Sequence, residues 1–187
     1  MKCCICGKEI TERWMLNDPE PLCFEQDSVC CHECNKKYVG PARRVLWHIP
    51  KEDYAGLKPL IRKIPCEKMR SLLDGANVLL EWHGYQLVER YGRTYCRFWG
   101  GREDDMPCEV PVSDEFKEKT IADPCFINHI LMEARKEWNW TAQEFYQLGI
   151  TQFLIHGVGM SSTEAHDLYK GLTEHQKKAL YRLALGK

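Results

Sequence analysis

Two cysteine pairs near the start of the chain constrain its fold more than any other feature. Each pair has two intervening residues, Cys3-x-x-Cys6 and Cys31-x-x-Cys34, and 24 residues separate the pairs. This spacing lets both sulfurs of a pair contact one ion at about 2.3 Å, and two pairs complete a tetrahedral site. The pattern therefore predicts one zinc ion held by Cys3, Cys6, Cys31 and Cys34. Four thiolates leave no position open for a substrate, so we expect the ion to be structural.

The distribution of the other cysteines supports metal binding but leaves the ligand set open. The 187-residue chain has 11 cysteines, and seven of them precede residue 35. An odd and clustered number favours metal binding over a disulfide framework. Because Cys4, Cys30 and Cys23 lie beside the predicted ligands, any of them is an alternative ligand. A second metal site is a further alternative, with the candidate ligands Cys96, Cys108, Cys125 and His129.

The local sequence around the pairs predicts the type of metal module. Gly7 follows the first pair, where a tight knuckle needs an unhindered backbone. The second pair opens a stretch that is compatible with the start of a helix. A knuckle followed by a helix-start pair is the treble-clef arrangement, and a zinc ribbon with two knuckles is the alternative.

The positions of proline, glycine and helix-capping residues along the chain predict an α+β fold in three parts. We expect a zinc-binding module over 1–39, a connector over 40–65 and an α+β domain over 66–187. Prolines at 41, 50, 59 and 65 argue against a long helix in the connector. Within the domain, 66–112 is predicted as a helix followed by strands of a small antiparallel sheet, with a hairpin near Gly92.

The stretch 113–187 is predicted to be helical. Asp123-Pro124 is typical of a helix start, and apolar residues follow it at helical spacing. Three capping-box patterns mark further helix starts: Thr141 with Glu144, Ser161 with Glu164, and Thr173 with Gln176.

Four short stretches carry a resemblance to a known group of proteins. They are KCCICGKEI (2–10), PLC (21–23), VCCHECN (29–35) and PAR (41–43). Together they resemble the N-terminal zinc finger of small, mostly uncharacterised proteins that phages and prophages of Gram-positive bacteria carry. The resemblance covers residues 1–44, and it implies a zinc finger in a mobile-element setting without implying an activity.

Two basic and aromatic stretches are candidate binding surfaces. The alternation of the predicted strand 93–99 places Arg93, Tyr95, Arg97 and Trp99 on one face. Arginine and aromatic side chains on an open sheet can stack bases or bind a protein partner. The basic connector, which includes Arg43 and Arg44, is a second candidate.

Charge and motif content decide between classes of function. The net charge of −1 argues against a protein whose entire surface binds nucleic acid. No Gly-x-Ser-x-Gly, phosphate-loop or His-Glu-x-x-His motif occurs. We therefore expect a non-enzymatic phage or prophage accessory protein that binds and inhibits or redirects a host protein or nucleoprotein, for example a CRISPR nuclease. This anti-defence role rests on the setting that the resemblance implies.

Two other functions and a location complete the expectations. The first alternative is a direct nucleic-acid binder that uses the finger, the connector and the Arg93–Trp99 face. The second is a metal-dependent nuclease, which the acidic cluster Glu103-Asp104-Asp105 suggests.

No run of about 18 apolar residues occurs and no apolar stretch follows Lys2, so we expect neither a membrane span nor a signal peptide. The expected location is the cytoplasm, that of the host cell for a phage protein.

Overall fold

The fold combines helices with one small antiparallel sheet, as the sequence predicts. A computed structural model of the protein describes residues 1–99, 107–129 and 142–185. These residues form eight α-helices and a four-stranded sheet. The chain divides into two compact units. The first comprises Met1–Gly75 together with the chain from Met160 onward, and the second comprises Ala76–Gly159.

The first unit contains six of the helices. After a 3-10 turn (Arg13–Met15) they are α1 (His32–Cys34), α2 (Gly40–Leu46), α3 (Lys51–Arg62), α4 (Cys66–Leu73), α7 (Ser162–Gly171) and α8 (Glu174–Ala184). A π-helical stretch (Asn35–Val39) joins α1 to α2. The predicted capping boxes of α7 and α8 are confirmed, because the side chains and backbone amides of both pairs exchange hydrogen bonds. Helix α8 packs against α2, α3 and α4, and the buried side chains there include Leu46, Leu57 and Leu180.

The expectation that prolines exclude a long helix from residues 40–65 is wrong. Helix α3 has 12 residues in this stretch. Pro41 lies in the first turn of α2, and Pro50 and Pro65 are the N-caps of α3 and α4, where no intrahelical hydrogen bond is lost. Only Pro59 lies inside a helix. The buried apolar face of α3, which packs against α8, offsets that one lost bond.

The second unit is built on the sheet, whose strand order is β1-β2-β3-β4. The strands are β1 (Asn77–Trp82), β2 (Tyr85–Arg90), β3 (Arg93–Trp99) and β4 (Pro107–Pro111). His83-Gly84 and Tyr91-Gly92 have positive φ angles, and they form the two-residue turns of the β1–β2 and β2–β3 hairpins. The hairpin near Gly92 is thus confirmed.

Helices of the second unit lie before and after a stretch outside the described residues. They are α5 (Asp114–Ala122), a 3-10 turn (Pro124–Phe126), α6 (Ala142–Gln152) and a π-helical stretch (Phe153–Val158). Asp123 caps the 3-10 turn by accepting a hydrogen bond from the Cys125 amide at 3.0 Å. The rest of the predicted helix after Pro124, the capping box at Thr141 and the acidic cluster 103–105 include residues that lie outside the described ranges.

Candidate metal centre

A backbone hairpin holds the first cysteine pair. The Gly7 amide donates to the Cys3 carbonyl and the Cys3 amide donates to the Lys8 carbonyl, both at 2.9 Å. An antiparallel bridge between Lys2 and Glu9 closes the turn. Gly7 has φ of +72°, a region that favours glycine, so the local sequence supports this knuckle.

The second pair lies at the start of a helix. Cys31 is the N-cap of α1, and its sulfur accepts a hydrogen bond from the Cys34 amide at 3.5 Å. The Cys31 amide in turn donates to the sulfur of Cys3 at 3.3 Å. This last bond connects the two pairs, so backbone donors already point at the sulfurs that a metal ion would bind.

The four predicted ligands form one compact group. The Sγ atoms of Cys3, Cys6, Cys31 and Cys34 all lie within 4.8 Å of one another. The Cys6–Cys31 pair is separated by 3.9 Å. Four sulfurs placed tetrahedrally at about 2.3 Å from an ion lie about 3.8 Å apart, so this spacing fits a zinc ion. Cys3, Cys31 and Cys34 are buried, and Cys6 is partly exposed.

Burial makes the thiolate form costly unless a cation is present. Burial raises the pKa of the Cys34 thiol, and that of Cys6 is raised for the same main reason. Burial acts in the same direction on Cys3, but amides of Cys31, Cys6 and Ile5 outweigh it and hold the pKa of Cys3 at about 7. The sulfur of Cys3 is thus prepared for deprotonation, whereas the thiolates of Cys6 and Cys34 would be stabilised by the charge of an ion.

A second group of cysteines lies in the same unit. The sulfurs of Cys4, Cys23 and Cys66 are within 4.8 Å of one another, and Cys23 and Cys66 form a disulfide. Cys4 and Cys23 therefore belong to a different group from the predicted zinc ligands, and Cys30 lies in neither. Sequence reasoning missed Cys66, because it is 43 residues from Cys23 and has no paired cysteine at metal-ligand spacing.

The alternative second metal site does not assemble among the described residues. Cys96, Cys108, Cys125 and His129 are all described, yet no three of them come together within ligand distance. Cys96 and Cys108 are buried in β3 and β4, whereas Cys125 is exposed. Burial raises the pKa of Cys96 to about 12, so it packs as a neutral side chain.

The candidate face of β3 is only partly accessible. Tyr95 is buried, and its hydroxyl donates to Gln152 Oε1 at 3.4 Å. Arg97 donates to Glu109 Oε1 from Nε at 2.8 Å and from Nη2 at 2.6 Å. Arg93 and Trp99 are exposed. Binding by this face stays a prediction that rests on Arg93 and Trp99.

The two arginines of the connector have different surroundings. Arg43 donates from Nε to the Glu20 carbonyl at 2.9 Å and from Nη2 to the Asp18 carbonyl at 2.8 Å. Its guanidinium also lies over the ring of Trp47, 4.9 Å from the centroid. Arg44 is exposed. Trp47 is an exposed residue that sequence reasoning missed, although its neighbouring arginines were a usable signal.

No protein-family model, no curated protein and no solved structure matches the chain. None of the helices formed by the described residues is long and apolar enough to cross a membrane.

Proposed function

We propose that the protein is a non-enzymatic binding protein whose N-terminal module is organised by one structural zinc ion. The observation that carries this proposal is the group formed by Cys3, Cys6, Cys31 and Cys34, with all sulfurs within 4.8 Å. Four thiolates fill every position of tetrahedral zinc, so the ion would have no open position for a substrate. Its contribution would be the folding free energy of the module.

We assign the module to the treble-clef type. The knuckle at Cys3–Gly7 supplies one pair, and the N-terminus of α1 supplies the other. A zinc ribbon would use a second knuckle in place of the helix start. The continuation of α1 through the π-helical stretch into α2 supports the treble clef.

An arginine–tryptophan pair is the best candidate for a partner surface. Trp47 is 53% exposed, and Trp14 of the same unit is 75% exposed. Arg43 lies over Trp47 and is itself held by two backbone carbonyls, so the pair is ordered before any partner binds. Tryptophan and arginine are enriched among residues that dominate protein interfaces. Preorganisation also lowers the entropic cost of binding.

The proposed partner is a host protein or nucleoprotein, which the protein would inhibit or redirect. The resemblance of residues 1–44 to phage and prophage fingers supports this setting, which includes anti-defence roles such as inhibition of a CRISPR nuclease. The net charge of −1 favours a protein surface over a nucleic-acid backbone as the target.

Affinity capture with variants tests the partner surface. Tagged wild-type protein, Trp47→Ala and the control Ile121→Ala are each incubated with nuclease-treated lysate of a Gram-positive host. Ile121 is 51% exposed and Trp47 is 53% exposed, so the two variants remove exposed apolar side chains of similar accessibility. Ile121 belongs to the second unit. We expect wild type and Ile121→Ala to retain one stoichiometric protein that Trp47→Ala loses, with equal zinc content in all three. Equal retention by Trp47→Ala, or no retained protein, would contradict the proposal.

The second candidate function is direct nucleic-acid binding. The observation that favours it is the exposure of Arg93, Trp99 and Arg44, which could contact phosphates and bases. Binding to oligonucleotides should then weaken steeply with salt and be lost in Arg93→Ala combined with Trp99→Ala. Salt-independent or absent binding would remove this candidate. The nuclease alternative rests on residues 103–105, outside the described ranges, and cleavage that survives their replacement would remove it.

A further inference from the structure

A second thiol group lies on the first unit, apart from the four predicted zinc ligands. Cys4, Cys23 and Cys66 have their sulfurs within 4.8 Å of one another. Cys23 and Cys66 are buried, and Cys4 is partly exposed. The Cys4 amide donates to the Val29 carbonyl at 2.9 Å, which fixes the backbone that carries the third sulfur.

The disulfide between Cys23 and Cys66 does not account for the third sulfur, that of Cys4, in the same group. The bond between Cys23 and Cys66 needs two cysteines, whereas a third sulfur lies within 4.8 Å of both. The Cα atoms of Cys23 and Cys66 are 5.4 Å apart. At that separation, side-chain rotation alone can move the two sulfurs from bonding distance to the roughly 3.8 Å spacing of ligands on one ion.

Glu25 places an oxygen atom beside one of the three sulfurs, that of Cys66. Its Oε1 lies 3.7 Å from the sulfur of Cys66. Oxygen and sulfur ligands of one tetrahedral zinc ion are separated by about 3.5 Å, given bond lengths of about 2.0 and 2.3 Å. A cavity of about 570 Å³ is lined by Glu25 and Cys66, among other residues, and gives an ion or a small reagent access to the group.

We propose that the reduced chain binds a second thiophilic divalent cation, such as Zn²⁺, through Cys4, Cys23 and Cys66, with Glu25 as the oxygen donor. The disulfide between Cys23 and Cys66 is the oxidised, metal-free form of this centre. The proposal goes beyond the binding function proposed above and does not depend on it.

The interconversion is a two-electron exchange with a small disulfide such as oxidised glutathione. The sulfurs of Cys23 and Cys66 form a bond with each other, and their two electrons reduce the small disulfide. Its sulfur–sulfur bond breaks, and two protons from water convert the products into two thiols. The cation is released because only one thiolate and the carboxylate remain. A dithiol reductant reverses the exchange and restores three thiolate ligands.

Zinc content under two redox conditions tests the proposal. Protein is loaded with zinc under anaerobic reducing conditions, desalted, and measured by mass spectrometry of the metal before and after treatment with oxidised glutathione. We expect two equivalents of zinc per reduced wild-type chain and one equivalent after oxidation. Cys66→Ala and Cys4→Ala should bind one equivalent in both states. The control Cys125→Ala, which removes an exposed cysteine outside both groups, should behave as wild type.

Cobalt substitution distinguishes loss of the second centre from general unfolding. The charge-transfer absorption of Co²⁺ increases with the number of bound thiolates. The first centre would supply four thiolates and the second would supply three. Reduced Cys66→Ala should retain only the four-thiolate spectrum, which shows that the module is still folded. One equivalent in reduced wild type, or two in Cys66→Ala, overturns the second centre. The four-thiolate spectrum reports separately on the first centre.

Discussion

At the scale of single residues, a buried carboxylate organises the charged side of the sheet. Glu109 is 8% exposed, and its Oε1 lies 2.6 Å from Arg97 Nη2 and 3.6 Å from Arg90 Nη2. The side chain of Arg90 is also buried. Charges removed from water in this way are stable only while their partners remain. Arg97 is therefore part of the fold of the second unit, and its replacement is a poor test of ligand binding.

Removal of this carboxylate should destabilise the second unit. We expect Glu109→Gln to lower the free energy of unfolding by about 3 kcal/mol, because the buried guanidinium of Arg90 and the partly buried one of Arg97 lose a counter-charge. The exposed carboxylate of Glu115, which pairs only within its own helix among the described contacts, supplies the control Glu115→Gln. Urea unfolding followed by circular dichroism measures the difference. A Glu109→Gln variant as stable as the control would show that the ion cluster contributes little.

A histidine in the second unit should respond to a neighbouring arginine. Burial lowers the pKa of His156, and the positive charge of Arg93 lowers it further. The unfolded chain binds this proton at about pH 6.5, so the unfolded state holds more protons just below that pH. The stability of the fold therefore decreases as pH falls through 6.5 toward the folded pKa. We expect Arg93→Gln to raise the pKa of His156.

Nuclear magnetic resonance titration of the imidazole measures this pKa, with His156→Gln to assign the signal. Arg44→Gln is the control, because it removes an exposed arginine that does not contribute to the lowered pKa of His156. If Arg93→Gln and Arg44→Gln leave the pKa of His156 equally unchanged, the electrostatic coupling is absent.

At the scale of elements, one glutamine joins α3 to the start of α8. Gln176 Oε1 accepts from the Thr173 amide at 3.0 Å, and its Nε2 donates to the Asp53 carbonyl at 2.9 Å. The hydroxyl of Thr173 also donates to Asp53 Oδ1 at 2.9 Å. The capping box of α8 therefore also positions α3.

This junction reverses the usual effect of replacing a helical glycine. A Cβ at Gly56 of α3 would lie 2.6 Å from Gln176 Nε2. Because both ends of the Gln176 amide are hydrogen-bonded, it cannot move away without losing a bond. We expect Gly56→Ala to destabilise the protein by about 1–2 kcal/mol, although alanine is the better helix former.

The control is Gly171→Ala at the end of α7, where a Cβ would meet no atom within 4 Å. Thermal unfolding should show a lower melting temperature for Gly56→Ala and an unchanged or higher one for Gly171→Ala. A stabilised Gly56→Ala variant would contradict the proposed constraint.

Sequence patterns predicted most of the elements that are determined by residues close together in the chain. The strands, the hairpin at Gly92 and the capping boxes at Ser161 and Thr173 depend on near neighbours, and the structure contains them. Helix α3 was missed because its stability depends on packing against α8, more than 110 residues later. The same limit applies to β3, since alternation identified the strand but not the burial of Tyr95.

At the scale of the whole molecule, the two units differ in whether they contain a group of cysteines that could hold a metal ion. Both cysteine groups belong to the first unit, and the described part of the second unit contains no comparable group. Spacing predicted the four-sulfur group because its ligands come in close pairs. Spacing could not predict the approach of Cys66 to Cys23, which depends on how the chain folds between them.

Chelation should therefore affect the two units unequally. We expect removal of metal to increase amide hydrogen exchange in α1, which starts at the proposed metal ligands, and in α2, which follows α1 through the π-helical stretch. Exchange in β2 and β3 should stay unchanged, because their hydrogen bonds lie within the second unit. Mass spectrometry of peptides from chelated and metal-loaded protein reports both. A uniform increase along the chain, or no change in α1 and α2, would contradict this division.

Whether the four cysteines hold a structural zinc ion is tested most directly by comparing the double variant Cys31→Ser, Cys34→Ser with Cys125→Ser. Metal content and thermal unfolding are measured for both. The oxidised form is used because the disulfide between Cys23 and Cys66 then prevents zinc binding by the second thiol group. We expect one equivalent of zinc in Cys125→Ser and none in the double variant, whose first unit should also lose its cooperative unfolding transition. Unchanged zinc content and unchanged melting in the double variant would show that these cysteines do not hold a structural zinc ion.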